Sequence, residues 1–153
     1  MITYRPATES DAGQVYSLLE EIMMSHGVAP PPPARLCETI ATILASESHL
    51  FLVADDDGRL VGMCALIFSQ STWSASLVCE LQDVIVTRSR RLSDVGRGLL
   101  KNAEEIARSR GCSRLQLLAE AWNFDAHAFY RRYGLAEKTC LYFERDLATP
   151  GAD

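Results

Sequence analysis

Residues 77–86 form a run rich in Val, Leu and Ile, and Val95, Leu99, Leu100, Ala103 and Ile106 then recur at helical spacing. This strand-to-helix junction constrains the fold most, because a chain containing it is neither all-helical nor all-strand. The joining segment is Arg91-Leu92-Ser93-Asp94-Val95-Gly96-Arg97-Gly98. A strand that turns sharply into a helix points the unpaired N–H groups of the first turn outward, where the positive end of the dipole favours phosphate. Glycine at 96 and 98 lets a ligand approach the backbone. Arg88, Arg90, Arg91 and Arg97 set against Asp94 leave residues 88–97 with a net charge of +3. The same residues serve equally as solvated arginines around an Asp94 helix cap.

The rest of the chain extends the α/β order. Residues 2–5 read as a strand, and Thr8 with Asp11 as the capping pattern of a helix through Val15, Leu18, Leu19 and Ile22. Gly27 and Pro30 to Pro33 end that helix in a stiff connection, which is a plain linker or the wall of a binding site. Leu36, Ile40, Ile43 and Leu44 space a second helix. Residues 49–54 and 60–68 read as strands around Asp55-Asp56-Asp57-Gly58-Arg59, a solvated hairpin tip. A strand over 114–119, a helix over 124–133 ended by Gly134, and a terminal apolar stretch over 139–143 complete the order.

At 153 residues and 48% hydrophobic content the expectation is one domain over residues 1–148 with a short tail over 149–153. A net charge of −5 argues against a general nucleic-acid binder. Cys37, Cys64, Cys79, Cys112 and Cys140 are scattered and odd in number, so they read as free thiols of a reducing compartment. His26, His49 and His127 have no metal-ligand spacing with them. Neither a signal peptide nor a membrane-length apolar run is visible, and the expected location is cytoplasmic.

Asn123-Phe124-Asp125-Ala126-His127-Ala128-Phe129-Tyr130-Arg131-Arg132-Tyr133-Gly134 follows the apolar run over 115–119. Ala126, Phe129, Tyr130 and Tyr133 would form the buried stripe of any amphipathic helix. Taken with the arginine–glycine loop, however, the segment resembles the GNAT superfamily of N-acetyltransferases. In that family an Arg/Gln-x-x-Gly-x-Gly/Ala loop binds the pyrophosphate of acetyl-CoA, and Asn-x-x-Ala-x-x-Phe-Tyr-x-x-x-Gly lines its pantetheine arm. Asn123, Ala126, Phe129, Tyr130 and Gly134 all fit, as do Arg91 and Gly96; Asp94 stands where the first glycine is expected. The opening Ile2-Thr3-Tyr4-Arg5-Pro6-Ala7 fits too. Leu100-Lys101-Asn102 and the stretch from Ala121 through Arg132 resemble spermidine/spermine acetyltransferases.

The resemblance implies a single domain with a mixed, mostly antiparallel sheet, splayed central strands and about four flanking helices. It implies acetyl-CoA as co-substrate, a small-molecule or peptide amine as acceptor, direct attack, no nucleic-acid or membrane partner, and a homodimer as in many relatives. The cofactor set it implies is Val84, Ile85, Val86, Arg91, Leu92, Ser93, Asp94, Val95, Gly96, Arg97, Gly98, Asn123, Ala126, Phe129 and Tyr130. Val84 and Val86 would act through their main chains. Tyr130 is the candidate general acid for the departing thiolate. Strand alternation puts Glu80, Gln82 and Val84 on one face and Leu81, Asp83 and Ile85 on the other. Many relatives carry an acid where Gln82 stands, so Glu80, Asp83 or Glu120 is left to act as base. Asp94 near a diphosphate implies weakened binding, and a non-catalytic CoA sensor or a protein N-terminal or lysine acetyltransferase are the alternatives. A dinucleotide oxidoreductase fits less well, because Lys101 occupies the third glycine position of G-x-G-x-x-G.

Overall fold

A computed structural model describes residues 1–147. The first unit, Met1–Leu118, carries β1 (Ile2–Pro6), α1 (Ala12–Ser25), α2 (Pro33–Leu44), β2 (His49–Asp56), β3 (Arg59–Ser71), β4 (Ser76–Val86), α3 (Val95–Ser109) and β5 (Cys112–Leu117). Its five strands form one sheet in the order β1-β2-β3-β4-β5. β1 through β4 pair antiparallel, whereas β5, reached through α3, runs parallel to β4. The second unit begins at Ala119 and holds α4 (Phe124–Tyr133). The expected tail over 149–153 lies outside the described residues.

Hydrophobic spacing explains both layers on the sheet. Phe51, Val53, Met63, Ala65 and Ile85 on one face pack with Val15, Leu18 and Leu19 of α1 and Leu36 and Ile40 of α2. On the opposite face a side chain at Gly62 would meet Val95 and Leu99 of α3. Val95, Leu99, Leu100 and Ala103 are buried there at the helical spacing read from the sequence. Of the four prolines, Pro33 is already the first residue of α2, where a missing N–H costs nothing.

Three expectations change. The aspartates of the β2–β3 hairpin are not a solvated tip: Asp55 and Asp56 extend β2, and the turn is left to Asp57 and Gly58, both at positive φ. Asp55 accepts from Arg5, and Asp56 pairs with Arg90. β5 ends at Leu117, so Glu120 lies beyond the strand it was expected to terminate. Residues 139–143 form neither helix nor strand, and Leu141, Tyr142 and Phe143 are exposed.

Arg5 ties β1 to the start of α1. Its guanidinium donates to both oxygens of Asp11 at 2.7 and 3.0 Å and to Asp55 Oδ2 from Nε at 3.1 Å and Nη2 at 2.8 Å. Asp11 also accepts from the Thr8 N–H at 2.7 Å, the capping contact the sequence suggested. Its side chain is only 7% exposed. Arg5 therefore holds the Asp11 carboxyl, and likewise that of Asp55, below the usual carboxylate range. A depressed folded-state value contributes stability that is fully present above the unfolded carboxylate pKa and is lost progressively as pH falls from there through the folded value. Arg5→Leu leaves Asp11 charged without its partner and should cost about 2–3 kcal/mol at neutral pH, since Arg5 is partly solvated. The gap between the thermal melts of the two proteins should begin to close below about pH 4 and go on closing as pH falls through the depressed Asp11 value; an equal gap at all pH values would remove the electrostatic explanation.

Candidate active site

β4 and β5 pair from Leu77 with Cys112 as far as Leu81 with Leu117. β4 then runs on to Val86 without β5, so its backbone over residues 82–86 has no strand partner on that side among the described residues. This is where the resembling family splays its strands. On the β3 side, Gln82 faces Ala65 and Ile85 faces Met63, leaving Asp83 and Val84 together opposite Cys64. Asp83 adopts φ 50°, the left-handed geometry that lets a bulge take up the extra residue. The bulge corrects the expected alternation. Ile85 joins the α1–α2 face with Met63 and Ala65, the face that also carries Glu80 and Gln82 through their partners Ile67 and Ala65.

Glu80 is the centre of a cross-strand network. Its carboxylate accepts from Gln82 Nε2 at 2.9 Å and Gln116 Nε2 at 3.4 Å, and Arg114 Nε donates to Gln116 Oε1 at 2.8 Å. Asp83 differs in character. The residue is exposed, yet partial desolvation by the surrounding protein pushes its carboxyl up from the ordinary value, with the nearby charges of His49 and His26 opposing the rise. His49 is lowered by burial and drawn up by Asp83.

After one 3₁₀ turn at Arg88–Arg90 the chain enters the arginine–glycine loop, where Leu92 is fully exposed at φ 64°. α3 makes its first internal bond from Gly98 N–H to the Asp94 carbonyl at 2.9 Å. The N–H groups of Val95, Gly96 and Arg97 thus precede the helical ladder. Ser93 Oγ donates to the Arg90 carbonyl and receives the Val95 N–H at 3.4 Å. Asp94 makes no side-chain cap bond, contrary to its expected role; with the backbone at φ −74° and ψ 3° it is already turned into the helix. The arginines also differ. Arg90 is committed to Asp56, Arg91 Nε reaches the Val86 carbonyl at 3.4 Å, and Arg88 and Arg97 are exposed without ion pairs among the described residues.

Gly98 has a different purpose from the one expected. A Cβ there would lie 2.0 Å from Tyr4 Oη and 2.1 Å from Tyr4 Cζ. The absent side chain makes room for Tyr4, whose hydroxyl donates to the Val95 carbonyl at 3.4 Å, rather than for a ligand. Burial first, and the Asp94 charge second, push the Tyr4 hydroxyl up.

In the second unit, Asn123 Oδ1 accepts from the Ala126 N–H at 3.3 Å and caps α4. Glu120 contributes its carbonyl, which bonds the His127 ring at Nε2 (2.8 Å) and the Asn123 N–H (2.9 Å). Ala126, Phe129, Tyr130 and Tyr133 form a half-buried stripe, with the Phe129 and Tyr130 rings 5.3 Å apart. Gly134 ends the helix at φ 104° and donates to the Tyr130 and Arg131 carbonyls.

Within the first unit the structure thus brings Glu80, Asp83, Val84, Ile85 and Val86 of β4 into sequence with the loop from Arg91 through Gly98, and within the second Asn123, Ala126, Phe129 and Tyr130 share α4 and its cap. Sequence reasoning missed Tyr4, His49, His26, Gln116 and Arg114. An aromatic two residues before a proline in an edge strand gave no signal of its glycine partner. Arg114, Gln116 and His49 take their places only through strand register, and His26 lies at the end of α1.

The model of the Acetyltransferase (GNAT) family matches residues 14–135. Thialysine N-epsilon-acetyltransferase of Bos taurus is 32% identical, over 96% of this chain and 97% of that protein. Aminoalkylphosphonate N-acetyltransferase of Salmonella typhimurium is 29% identical, over 85% and 82%. Among solved structures, an acetyltransferase of Trypanosoma brucei superposes with a TM-score of 0.77 at 25% identity, covering 96% of this chain and all of that one. An aminoglycoside N-acetyltransferase in complex with CoA reaches 0.84 at 16% identity, over 97% and 96%, a likeness of fold. No helix among the described residues is long and apolar enough to cross a membrane. The chain belongs to the GNAT family and is an acetyl-CoA-dependent N-acetyltransferase.

Proposed function

We propose that this chain binds acetyl-CoA through the Arg91–Gly98 loop and the free edge of β4 and transfers its acetyl group to a primary amine of a small molecule or peptide. The observation that carries this reading is the coincidence, along one strand, of the last β4–β5 pair, the bulge and a helix N-terminus with three unladdered N–H groups. The diphosphate sits against Val95, Gly96 and Arg97, with Arg91, Leu92, Ser93 and Asp94 shaping the turn and Gly98 supporting it through Tyr4. Val84, Ile85 and Val86 offer backbone groups to the pantetheine. Asn123, Ala126 and Phe129 are assigned to the same arm by their motif, and Tyr130 to protonation of the thiolate. Asp83 is the favoured base, because its carboxyl is exposed at the bulge and raised from the ordinary carboxylate value, whereas Glu80 is held by two amides. The named relatives act on small amines, which favours a small acceptor. A cytoplasmic location accords with the free cysteines and a homodimer with the family resemblance.

The direct test is incubation with acetyl-CoA and separate diamines, amino acids, aminoalkylphosphonates, aminoglycosides and lysine peptides, with acetylated products read by mass spectrometry. One acetylated amine supports the reading. CoA binding without transfer to any amine favours the sensor alternative. Asp94→Gly should tighten acetyl-CoA binding several-fold by removing a carboxylate beside the diphosphate. Because Asp94 makes no cap bond, unliganded stability should fall by no more than the about 1 kcal/mol of added backbone freedom. Calorimetric binding weaker than wild type would show that Asp94 organises the loop.

A further inference from the structure

Four polar side chains form one hydrogen-bonded strip on the sheet face that α1 and α2 pack against, and the strip begins at the residue before the β4 bulge. Gln82 lies opposite Ala65, Glu80 opposite Ile67, and Gln116 of β5 is paired with Glu80. Ala65 belongs to the core under α1 and α2, which places the row on that face. Gln82 and Arg114 are exposed, and Glu80 and Gln116 are half-buried. This part of the face is therefore open beside the bulge.

The strip carries one charge of each sign. Gln82 Nε2 donates to Glu80 Oε1 at 2.9 Å, Gln116 Nε2 donates to Glu80 Oε2 at 3.4 Å, and Arg114 Nε donates to Gln116 Oε1 at 2.8 Å. Each amide orients one carboxylate oxygen, and each of those oxygens keeps a further lone pair. Arg114 uses only Nε, so that both of its Nη groups are without a partner among the described residues. Val78 pairs with Arg114, which makes Arg114 a diagonal neighbour of Glu80, within reach of a direct ion pair. Gln116 stands between them instead. Two opposite charges that could neutralise each other are held one amide apart, where a ligand bearing both signs can meet them together. Arg110, the other arginine near this end of β5, is committed to the Glu47 carbonyl at 2.8 Å and to the Phe68 ring at 4.2 Å.

We propose that Glu80 and Arg114 select a zwitterionic acceptor. Glu80 draws its ammonium group toward the β4 bulge, and Arg114 holds an acidic group, a carboxylate or a phosphonate, through its two free Nη groups. This deepens the acetyltransferase reading and rests on it. Neither side chain makes or breaks a bond. Together they position the amine beside Asp83, and Arg114 disfavours an amine whose only charges are positive, because a cation in place of the acid is repelled.

The test compares acceptors that differ only in the acid: lysine against cadaverine, and aminoethylphosphonate against ethylamine. The kcat/KM for acetylation should favour the acid-bearing member of at least one pair about tenfold or more, and the pair that shows it identifies the acid. Arg114→Gln should reduce that preference to about twofold or less by raising the KM of the acid-bearing acceptor, with the acetyl-CoA KM unchanged. Arg114→Glu should turn the first pair in favour of cadaverine. Arg114 is exposed, so neither substitution opens the core. A preference in neither pair, or one that survives Arg114→Gln, overturns the proposal and leaves the acetyltransferase reading standing. So does acetylation of some other amine when all four of these are refused. If no amine of any kind is acetylated, the acetyltransferase reading fails and the proposal fails with it.

Discussion

Tyr130→Phe should lower kcat about 10²-fold or more while leaving acetyl-CoA affinity nearly unchanged. The substitution keeps the ring that sits 5.3 Å from Phe129 in the half-buried stripe of α4 and removes only the hydroxyl. A thiolate leaving without a proton donor must depart as an anion or take its proton from water, and the collapse of the tetrahedral intermediate slows accordingly. The loss therefore belongs in kcat, because the hydroxyl acts as the C–S bond breaks and contributes little to ground-state binding. Rapid-quench measurement of the chemical step gives the cleanest comparison. A Phe variant turning over like wild type, with chemistry rate-limiting, would assign protonation of the sulfur to another group.

Gly98→Ala should be the most damaging small substitution in the first unit. Its methyl group would arrive 2.0 Å from Tyr4 Oη, so either the tyrosine leaves the surface of α3 or the helix moves from β1. Overpacking of this kind costs about 2–3 kcal/mol, or about 5–10 °C of melting temperature for a chain of this size. Loss of the Tyr4 bond to the Val95 carbonyl adds to the damage. In a Tyr4→Ala background the clash is gone, and Gly98→Ala should become neutral or stabilising through its better helix propensity. Equal destabilisation in both backgrounds would mean that Gly98 is kept for another reason.

That pair marks the boundary of what was legible in the sequence. The strand over 77–86, the helices over 95–110 and 124–133 and the Gly134 stop were all readable, because period and capping are local properties. So was the Thr8–Asp11 capping pattern, although it caps a 3₁₀ turn over Glu9–Asp11 that leads into α1 rather than α1 itself. Tyr4 against Gly98, Asp55 against Arg5 and Glu80 against Gln116 were not, since each depends on which strand lies beside which. Faces along β4 could not be assigned past Gln82, because one left-handed residue, Asp83, inverts the alternation beyond it. Asp94 misled for a related reason: aspartate before a helix suggests a cap, yet its backbone is turned into the helix and its carboxylate caps nothing.

The claim at the centre of this account is that the chain binds acetyl-CoA, with the loop from Arg91 to Gly98 holding its diphosphate. Thermal unfolding with and without ligand tests it most directly, since a ligand that binds only the native state stabilises it by mass action. Acetyl-CoA at about one hundred times its dissociation constant should add about 2.7 kcal/mol, or about 5–10 °C. CoA should act similarly, and NAD and ATP should have little effect. Replacing Arg97, exposed beside the three unladdered N–H groups and without an ion pair among the described residues, by Ala should shrink the acetyl-CoA shift at fixed ligand concentration. No shift with acetyl-CoA or CoA, alongside a clear shift with a nicotinamide nucleotide, would contradict the account.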